Sequence, residues 1–271
     1  MVLGFICGLF GLIVGSFLNV AVLRHGARSL NGRSGCMSCG AQIKWYDLIP
    51  VVSWLALRGR CRACRSSISI QYPLVELTTA LSFTAIGASQ STVDIALPFF
   101  CAIAAFMIAI AVYDIRHTII PDEWAYMFAT LVVATSILSP LYSGPFIYLA
   151  LAGPAAALPL FMLWLVSGGK WMGLGDSKLA LGIGWLLGPV YGPVAIMGAF
   201  VIGAVISVGI LLPLPYIRLY MRALLAKTGI ARLSVAQQRL TMTSEVPFGP
   251  FLVASAFLTW ILLLYHVPLP L

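Results

Sequence analysis

The sequence predicts an all-α polytopic membrane protein with about eight transmembrane helices and one small cytoplasmic loop domain. Of its 271 residues, 61% are hydrophobic and only 9% are charged, whereas about a quarter of the residues of an ordinary soluble domain are charged. The uncharged runs are continuous and do not alternate polar with apolar side chains, so they favour helices over a membrane β-barrel. These observations exclude a soluble globular protein.

Pro and Gly residues divide the two longest uncharged runs, 124–169 and 179–217, into pairs of spans. The breaks fall at 139–145 and 188–192, where a helix is expected to end. Since a helix needs about 20 apolar residues to cross the hydrocarbon, the sixth span is short and is either tilted or wrongly bounded. The predicted spans are 3–23, 73–89, 95–113, 124–140, 145–166, 177–188, 191–215 and 249–267.

All 16 Lys and Arg residues fall in four loops, 24–72, 114–123, 167–178 and 216–248, which lie on one side of the membrane in this arrangement. Because Lys and Arg are retained on the cytoplasmic side during insertion, this side is predicted to face the cytoplasm. The net charge of +8 then follows from insertion topology and from contact with anionic headgroups. The lipid bilayer is therefore a predicted partner, and nucleic acid is not.

The first of these loops contains two Cys-x-x-Cys pairs, Cys36 with Cys39 and Cys61 with Cys64, separated by 21 residues. Two residues between cysteines allow both sulfurs to bind one ion, and four thiolates bind zinc tetrahedrally. Four thiolates leave no open position for a catalytic water, so we predict a structural zinc that supplies folding free energy to the loop. Redox cysteines, an iron–sulfur site and two disulfides are the alternatives.

Carboxylates are scarce, with eight in the whole chain, and those kept near membrane depth are candidates for function because ionised groups are costly there. Asp114 ends the third span and Asp176 begins the sixth, so both lie at cytoplasmic helix ends and are able to meet. Gly173 and Gly175 would allow a tight turn just before Asp176. The pair is a candidate for catalysis. A structural role stays open for each: helix capping for Asp176, and an ion pair with Arg116 for Asp114.

Several motifs follow one another in a fixed order along the chain. They are Gly-Ser-Phe-Leu-Asn-Val (15–20), both cysteine pairs, Ile-Pro-Val-Val-Ser-Trp-Leu (49–55), Leu-Arg-Gly-Arg-Cys-Arg-Ala-Cys (57–64), Tyr-Pro-Leu-Val-Glu (72–76), the segment from Asp114 to Asp122, Gly-Leu-Gly-Asp-Ser-Lys-Leu (173–179) and Pro-Phe-Gly-Pro-Phe-Leu (247–252). This ordered set resembles the type IV prepilin peptidases, a family of membrane aspartic proteases with a Gly-x-Gly-Asp motif. One departure is Ile120, because typical members carry Leu before the following proline.

The resemblance implies that Asp114 and Asp176 are the catalytic pair of an endopeptidase of the bacterial inner membrane. Its substrates would be prepilin or pseudopilin precursors, from which it removes a short basic leader. The resemblance also implies N-methylation of the new amino terminus with S-adenosylmethionine, because the cysteine loop accompanies that activity. Asn19 and Glu76 match polar positions of the family and are candidates for the methyl-donor site. A buried hydrogen bond and an interfacial acid are their respective structural alternatives.

We divide the chain into a first transmembrane helix (1–23), a cytoplasmic zinc-binding loop domain tied to methylation (24–72) and a transmembrane peptidase domain (73–271). Asp122 and Glu123 are candidate contacts of the basic leader, or simply favour a helix amino terminus. Two rival functions remain: a preflagellin- or presenilin-like protease with another substrate, and a non-enzymatic membrane scaffold or transporter with a zinc loop. The cysteine pairs disfavour the first rival, and the second predicts no proteolysis by purified protein.

Overall fold

The computed structural model describes residues 2–26, 29, 32–90, 94–138, 146–211 and 247–267. The predicted all-α class is confirmed in these residues, where two short turns, the 3-10 turn Trp45–Leu48 and the π-helical turn Ser207–Leu211, accompany the α-helices. The helices are α1 (Val2–Arg24), α2 (Val52–Ala56), α3 (Gln71–Ser89), α4 (Ala96–His117), α5 (Asp122–Leu138), α6 (Phe146–Ser167), α7 (Leu174–Ile206) and α8 (Gly249–Leu264).

By length and composition, four helical stretches of the described residues are able to cross a membrane: Val2–Arg24, Ala96–His117, Ile147–Ser167 and Leu174–Gly209. Helices α3, α5 and α8 coincide with three further predicted spans but fall short of the same criteria. The count of eight spans therefore stays a prediction. Five of the predicted cytoplasmic cations lie in 212–246, outside the described residues: Arg218, Arg222, Lys227, Arg232 and Arg239.

Helix α7 is two segments joined by a sharp reversal at Gly188. This residue has φ 79° and ψ −178°, a backbone conformation open to glycine, and Pro189 follows it at the start of the second segment. A Cβ added to Gly192 would lie 3.1 Å from the Gly184 Cα, although eight residues of a straight helix span about 12 Å. The chain therefore folds back on itself, and the predicted break at 188–192 is present. The first segment is only about 21 Å long by its helical rise.

Close glycine contacts join α1 and α3 in an antiparallel pair. A Cβ on Gly15 would lie 2.7 Å from the Glu76 Cα, and one on Gly11 would lie 2.8 Å from the Ala80 Cα. Further towards the start of α1, Gly8 and Gly4 face the next turns of α3 in the same way. Small residues at this spacing allow two helix backbones to approach within a membrane, so the glycine stripe fixes how α1 lies on α3.

Several helix ends meet at one end of the bundle, the end predicted to face the cytoplasm. His25, just after α1, packs against Trp124 of α5, with ring centroids 4.6 Å apart and the ring planes tilted by 51°. The Arg116 guanidinium near the end of α4 donates to the Gln71 side chain at the start of α3 over 2.6 Å. Every candidate site residue lies at this end or in the loop that connects α1 to α3.

Candidate active site and metal site

The carboxylate of Asp114 is held at the end of α4, with only 4% of the residue exposed. The helix ends three residues later because Thr118 adopts a left-handed conformation with φ 54°. Its N–H donates to the Asp114 carbonyl oxygen over 2.7 Å. Pro121 directly precedes α5, and its carbonyl accepts the first hydrogen bond of that helix, from the Ala125 N–H over 3.1 Å. The tight turn keeps Asp114 in the interior.

Asp176 lies in the first turn of α7 and is also buried, with 8% of the residue exposed. Its carboxylate packs beside Gly173, where an added Cβ would lie 3.5 Å from Asp176 Oδ2. Asp176 and Asp114 are neighbours through Ile120, whose side chain packs against Gly175, the residue before Asp176, and against Gly249, which donates to Asp114. The structure thus brings together two carboxylates that are 62 positions apart in the sequence. From the sequence, their residue types, their positions at helix ends and the family resemblance indicated this pairing.

A third helix contributes a backbone group that the sequence did not indicate. The Gly249 N–H, at the start of α8, donates to Asp114 Oδ2 over 3.0 Å. A Cβ at this position would lie 2.6 Å from the same oxygen, so only glycine allows the approach. The side chain of Ile120 fills the remaining space, because a Cβ on Gly175 would lie 2.9 Å from its Cβ and one on Gly249 3.3 Å from its Cδ1. Ile120 thus packs against both glycines in place of the usual Leu.

The two acids at the start of α5 stand apart from the buried pair. Asp122 forms an ion pair with Lys178 of α7 over 2.6 Å, and its side chain is 61% exposed. The Lys178 ammonium also lies 5.5 Å from the centre of the Tyr126 ring. Glu123 is exposed beside them. These acids are open to solvent at the rim of the bundle, where either predicted role, leader contact or helix-end acid, is geometrically possible.

The four loop cysteines form one cluster. Their sulfur atoms all lie within 4.8 Å of one another, and the Cys36 and Cys64 sulfurs are 3.8 Å apart. Four sulfurs placed about 2.3 Å from a tetrahedral zinc ion would be separated by about 3.8 Å. Each cysteine is a free thiol, so the disulfide alternative is not present. The donor set and its spacing fit the predicted metal.

Each cysteine pair lies on its own turn, and the two turns have the same hydrogen-bond pattern. The Cys36 N–H donates to the Ala41 carbonyl over 2.9 Å, and the Cys61 N–H donates to the Ser66 carbonyl over 2.8 Å. Backbone N–H groups of Cys39 and Ser38 donate to the Cys36 sulfur and lower its pKa to about 6. A lowered pKa favours the thiolate, which is the form that binds metal.

The second turn is anchored to the 3-10 turn by a bidentate ion pair. Arg62 donates to both carboxylate oxygens of Asp47, over 2.6 and 2.9 Å. These hydrogen bonds hold the pKa of the Asp47 carboxyl below its usual value. Sequence reasoning assigned no role to this pair, which fixes the cysteine turn to the rest of the loop.

The remaining candidates, Asn19 and Glu76, lie in the α1–α3 interface. The Asn19 side chain donates to carbonyl oxygens of both helices, Gly15 at 3.3 Å and Tyr72 at 3.1 Å. Its own Oδ1 is buried and has no hydrogen-bond partner among the described residues. Glu76 lies one helical turn from Tyr72 and is 6% exposed. Within the described chain it has no ion-pair partner.

Glu76 connects the loop to the bundle through a strained residue. Its Oε2 accepts a hydrogen bond of 2.7 Å from the Val51 N–H. Val51 has φ 60° and ψ −51°, which is unusual for a β-branched side chain. Strain of this kind persists only where the surrounding structure imposes it, and it is commonly found at functional sites.

Two family models match the chain. Residues 9–90 match "Bacterial Peptidase A24 N-terminal domain", and residues 101–208 match "Type IV leader peptidase family". The prepilin leader peptidase/N-methyltransferase of Bacillus subtilis is 31% identical over 93% of this chain and 92% of its own length. The enzyme of the same name from Pectobacterium carotovorum is 32% identical over 74% of this chain and 80% of its own. No solved structure matches.

The fold and the site define a helical membrane protein in which two buried carboxylates share one end of the bundle with a four-cysteine cluster. Together with the coverage of these relatives, this leads to a specific assignment. The chain belongs to the type IV leader peptidase family.

Proposed function

We propose that this protein is an aspartic endopeptidase that removes the short basic leader of type IV prepilin-like precursors. The observation that carries the proposal is the meeting of Asp114 and Asp176 in a buried site, with the Gly249 N–H on Asp114. Peptide hydrolysis by two carboxylates requires one ionised group to deprotonate a water and one protonated group to polarise the carbonyl. Two acids that share a site separate into these states because both cannot cheaply be charged together.

Burial of the pair favours this chemistry. Ile120 and the glycine contacts exclude bulk water from one side of the carboxylates, so their interaction with a substrate carbonyl is less screened. The Gly249 N–H orients Asp114 through Oδ2 and leaves the other oxygen of that carboxylate available to water or substrate. The positions of the reacting groups are thus set by α4, α7 and α8.

We propose that the protein crosses the bacterial inner membrane eight times, with the two segments of α7 counted separately, and that the active site faces the cytoplasm. The grouping of all 16 cations in loops on one side supports this orientation. A basic leader would then remain in the cytosol while the apolar segment of the precursor lies in the bilayer. We retain the division into 1–23, 24–72 and 73–271, with the last as the peptidase domain.

Purified protein in detergent, incubated with a peptide that carries a basic leader, a Gly and about 20 apolar residues, tests the peptidase. Mass spectrometry should show loss of the leader, and Asp114→Asn or Asp176→Asn should abolish it. Asp94→Asn is the matched control, because Asp94 is an exposed acid in the loop before α4. Cleavage that survives in either pair variant would refute the mechanism. A wild-type protein that leaves the peptide intact would favour the scaffold or transporter function.

We also propose that the protein methylates the new amino terminus with S-adenosylmethionine. Glu76 supports this second activity, because it is a buried carboxylate without an ion-pair partner among the described residues, held against a strained backbone. S-adenosylmethionine supplies an electrophilic methyl group and carries positive charge. Glu76 would pair with a cationic group of S-adenosylmethionine or with the new amino terminus of the substrate. Asn19 Oδ1 would accept a hydrogen bond from the same bound group.

The cysteine cluster would contribute to methylation only by stabilising the fold of the loop. We propose that Cys36, Cys39, Cys61 and Cys64 hold one zinc ion, which stabilises the loop without taking part in either reaction. The loop reaches the bundle through the hydrogen bond of Val51 to Glu76, so its fold determines how that carboxylate is covered. Loss of the metal should therefore affect methylation more than cleavage.

A further inference from the structure

The loop between α1 and α3 contains an uncharged apolar segment, residues 48–57. Its sequence is Leu-Ile-Pro-Val-Val-Ser-Trp-Leu-Ala-Leu, with Asp47 before it and Arg58 after it. The segment is too short to cross the hydrocarbon, which requires about 20 residues in a helix. A short apolar run of this kind is typical either of a buried core helix or of a segment that lies in the membrane interface. Its exposure distinguishes the two.

The short helix α2 in this segment has one face packed into the loop and another that is uncovered in the described part of the chain. Trp54 packs inward, since its Nε1 donates to the Ile68 carbonyl over 3.3 Å. Val52 and Leu55 are one helical turn apart, and they are 60% and 61% exposed. Ile49, just before the helix, is exposed as well. The segment is therefore not a core helix of the described structure, and its apolar face is open to a partner.

The segment lies at the level of the membrane helices, not beyond their ends. The Val51 N–H within it donates to Glu76 of α3 over 2.7 Å. Glu76 faces Gly15 of α1, and α1 continues for another nine residues to Arg24, which is about 13 Å. A Glu side chain directed towards the start of its helix recovers only part of this distance. The backbone at Val51 is therefore level with the last turns of α1, which the predicted topology places in the cytoplasmic leaflet.

The charge of the loop favours an anionic partner. Residues 24–72 contain eight Lys and Arg residues but a single carboxylate, Asp47, which is already paired with Arg62. The loop segment 212–246 has five cations and one acid, so it would bring like charge, as would a second copy of this chain. Anionic headgroups of the cytoplasmic leaflet bring the opposite charge, and they lie directly above acyl chains that accept apolar side chains.

Two of these cations directly follow the apolar segment. The Arg58 N–H donates to the Leu55 carbonyl over 3.0 Å, so Arg58 adjoins the open face of α2. Arg58 and Arg60 are both exposed. An apolar face beside cationic side chains is the composition of segments that lie in the plane of a membrane interface. Long arginine side chains at such a boundary direct their charge towards the headgroups.

We propose that residues 48–57 insert into the cytoplasmic leaflet of the bilayer. Val52 and Leu55 contact acyl chains, and Arg58 and Arg60 bind the phosphates of anionic headgroups. The inference rests on the proposed orientation of the protein in the membrane, and it is independent of both proposed activities. It gives the cysteine loop a second attachment beside the hydrogen bond from Val51 to Glu76.

Photocrosslinking to lipid tests the position of the segment. The full-length protein, in vesicles of phosphatidylethanolamine and phosphatidylglycerol, carries p-benzoylphenylalanine at one position at a time. Position 55 probes the segment. Position 13, where Ile13 is 63% exposed on α1, reports whether α1 lies in the bilayer. Position 42, where Gln42 is exposed beside the first cysteine pair, is the loop control. Mass spectrometry should show at least about fivefold more lipid adduct at 55 than at 42, and a yield within about twofold of that at 13.

Two results would overturn the inference. One is a yield of lipid adduct at position 55 as low as at position 42, and the other is an adduct at 55 with residues 212–246 or with a second copy of the chain. Lipid adducts at position 13 in the same experiment would leave the membrane placement of α1 intact. If position 13 gives no lipid adduct, that placement is rejected, and the inference falls with it.

The lipid charge provides an independent measurement. Arg58→Gln combined with Arg60→Gln should lower the lipid adduct at position 55 by about threefold or more, because each cation near an anionic surface adds to the attraction. Vesicles of neutral phosphatidylcholine should have a similar effect on the wild type. Lys170→Gln removes an exposed cation from the loop between α6 and α7 and should change nothing. Thermal unfolding of each variant monitors the fold. An adduct that is independent of both arginines and of lipid charge would reject the headgroup contact.

Discussion

Replacement of Gly249 by Ala should disable peptide cleavage while the protein stays folded. The added Cβ would lie 2.6 Å from Asp114 Oδ2 and 3.3 Å from Ile120 Cδ1. Carbon atoms of this type essentially never approach closer than 3.0 Å, so the carboxylate must move by at least about 0.4 Å. The 3.0 Å hydrogen bond from the Gly249 N–H would then lengthen or break. Gly249 does not have a positive φ, so Ala causes no backbone strain there.

The expected size of the effect follows from this hydrogen bond and from the displacement. A hydrogen bond to a charged group contributes about 1.5–3 kcal/mol, which corresponds to roughly 10- to 100-fold in rate. Misplacement of a catalytic group by about 1 Å costs up to about 10²-fold. We therefore expect Gly249→Ala to lower kcat for leader removal by about 10- to 100-fold, with little change in KM.

The assay compares steady-state cleavage of the detergent-solubilised variant with that of Gly209→Ala. Gly209 lies in the π-helical turn, where an added Cβ would meet no atom of the described residues within 4 Å, so this control should retain wild-type activity. Thermal unfolding and zinc content should stay near those of the wild type in both variants, because neither change touches the loop. A folded Gly249→Ala protein with wild-type kcat would refute the role given to this backbone N–H.

Three further outcomes follow from the loop and its attachment. Cys39→Ser should reduce bound zinc below the one ion per chain expected of the wild type, as measured by mass spectrometry of the metal. It should also lower methylation more than cleavage. Equal loss of both activities would contradict a purely structural metal. Glu76→Gln should abolish methylation and leave leader removal within about threefold, whereas Asp94→Asn, at an exposed acid with no assigned role, should affect neither by that margin. Loss of cleavage in Glu76→Gln would assign Glu76 to leader removal instead of methylation. Val51→Gly should raise the unfolding temperature of the protein. The reason is that the release of about 1–3 kcal/mol of backbone strain exceeds the entropic cost of glycine, about 0.5–1 kcal/mol. A lower unfolding temperature would show that the Val51 side chain stabilises the loop.

Features encoded by local sequence were the ones that could be predicted. The cysteine cluster follows from two short motifs, since each pair of sulfurs is brought together by its own turn. The reversal at Gly188 follows from accumulated Pro and Gly. Span lengths were less certain, because the long uncharged runs contain no charge to mark where a helix leaves the membrane.

Contacts between distant backbones could not be predicted in the same way. The Gly249 N–H is 135 positions from Asp114, and a backbone donor has no residue type to reveal it. The segment 247–252 contributed to the family resemblance, but its role required the structure. The α1–α3 contact did leave a signal, because glycines at 4, 8, 11 and 15 repeat with a helical period. That pattern identifies the face of α1 on which Asn19 also lies.

The two proposed activities share one end of the bundle but depend on different contacts. The peptidase site is built where α8 meets α4, through Gly249 and Asp114, whereas the loop is attached to α3 through Val51 and Glu76. A change at one attachment can therefore impair one reaction and spare the other. Because both sites lie at the same end, a new amino terminus released at the carboxylate pair can reach Glu76 without crossing the membrane. Its apolar segment can meanwhile remain in the bilayer. Cleavage followed by methylation is thus the order that this arrangement favours, since the amine to be methylated exists only after the leader is removed.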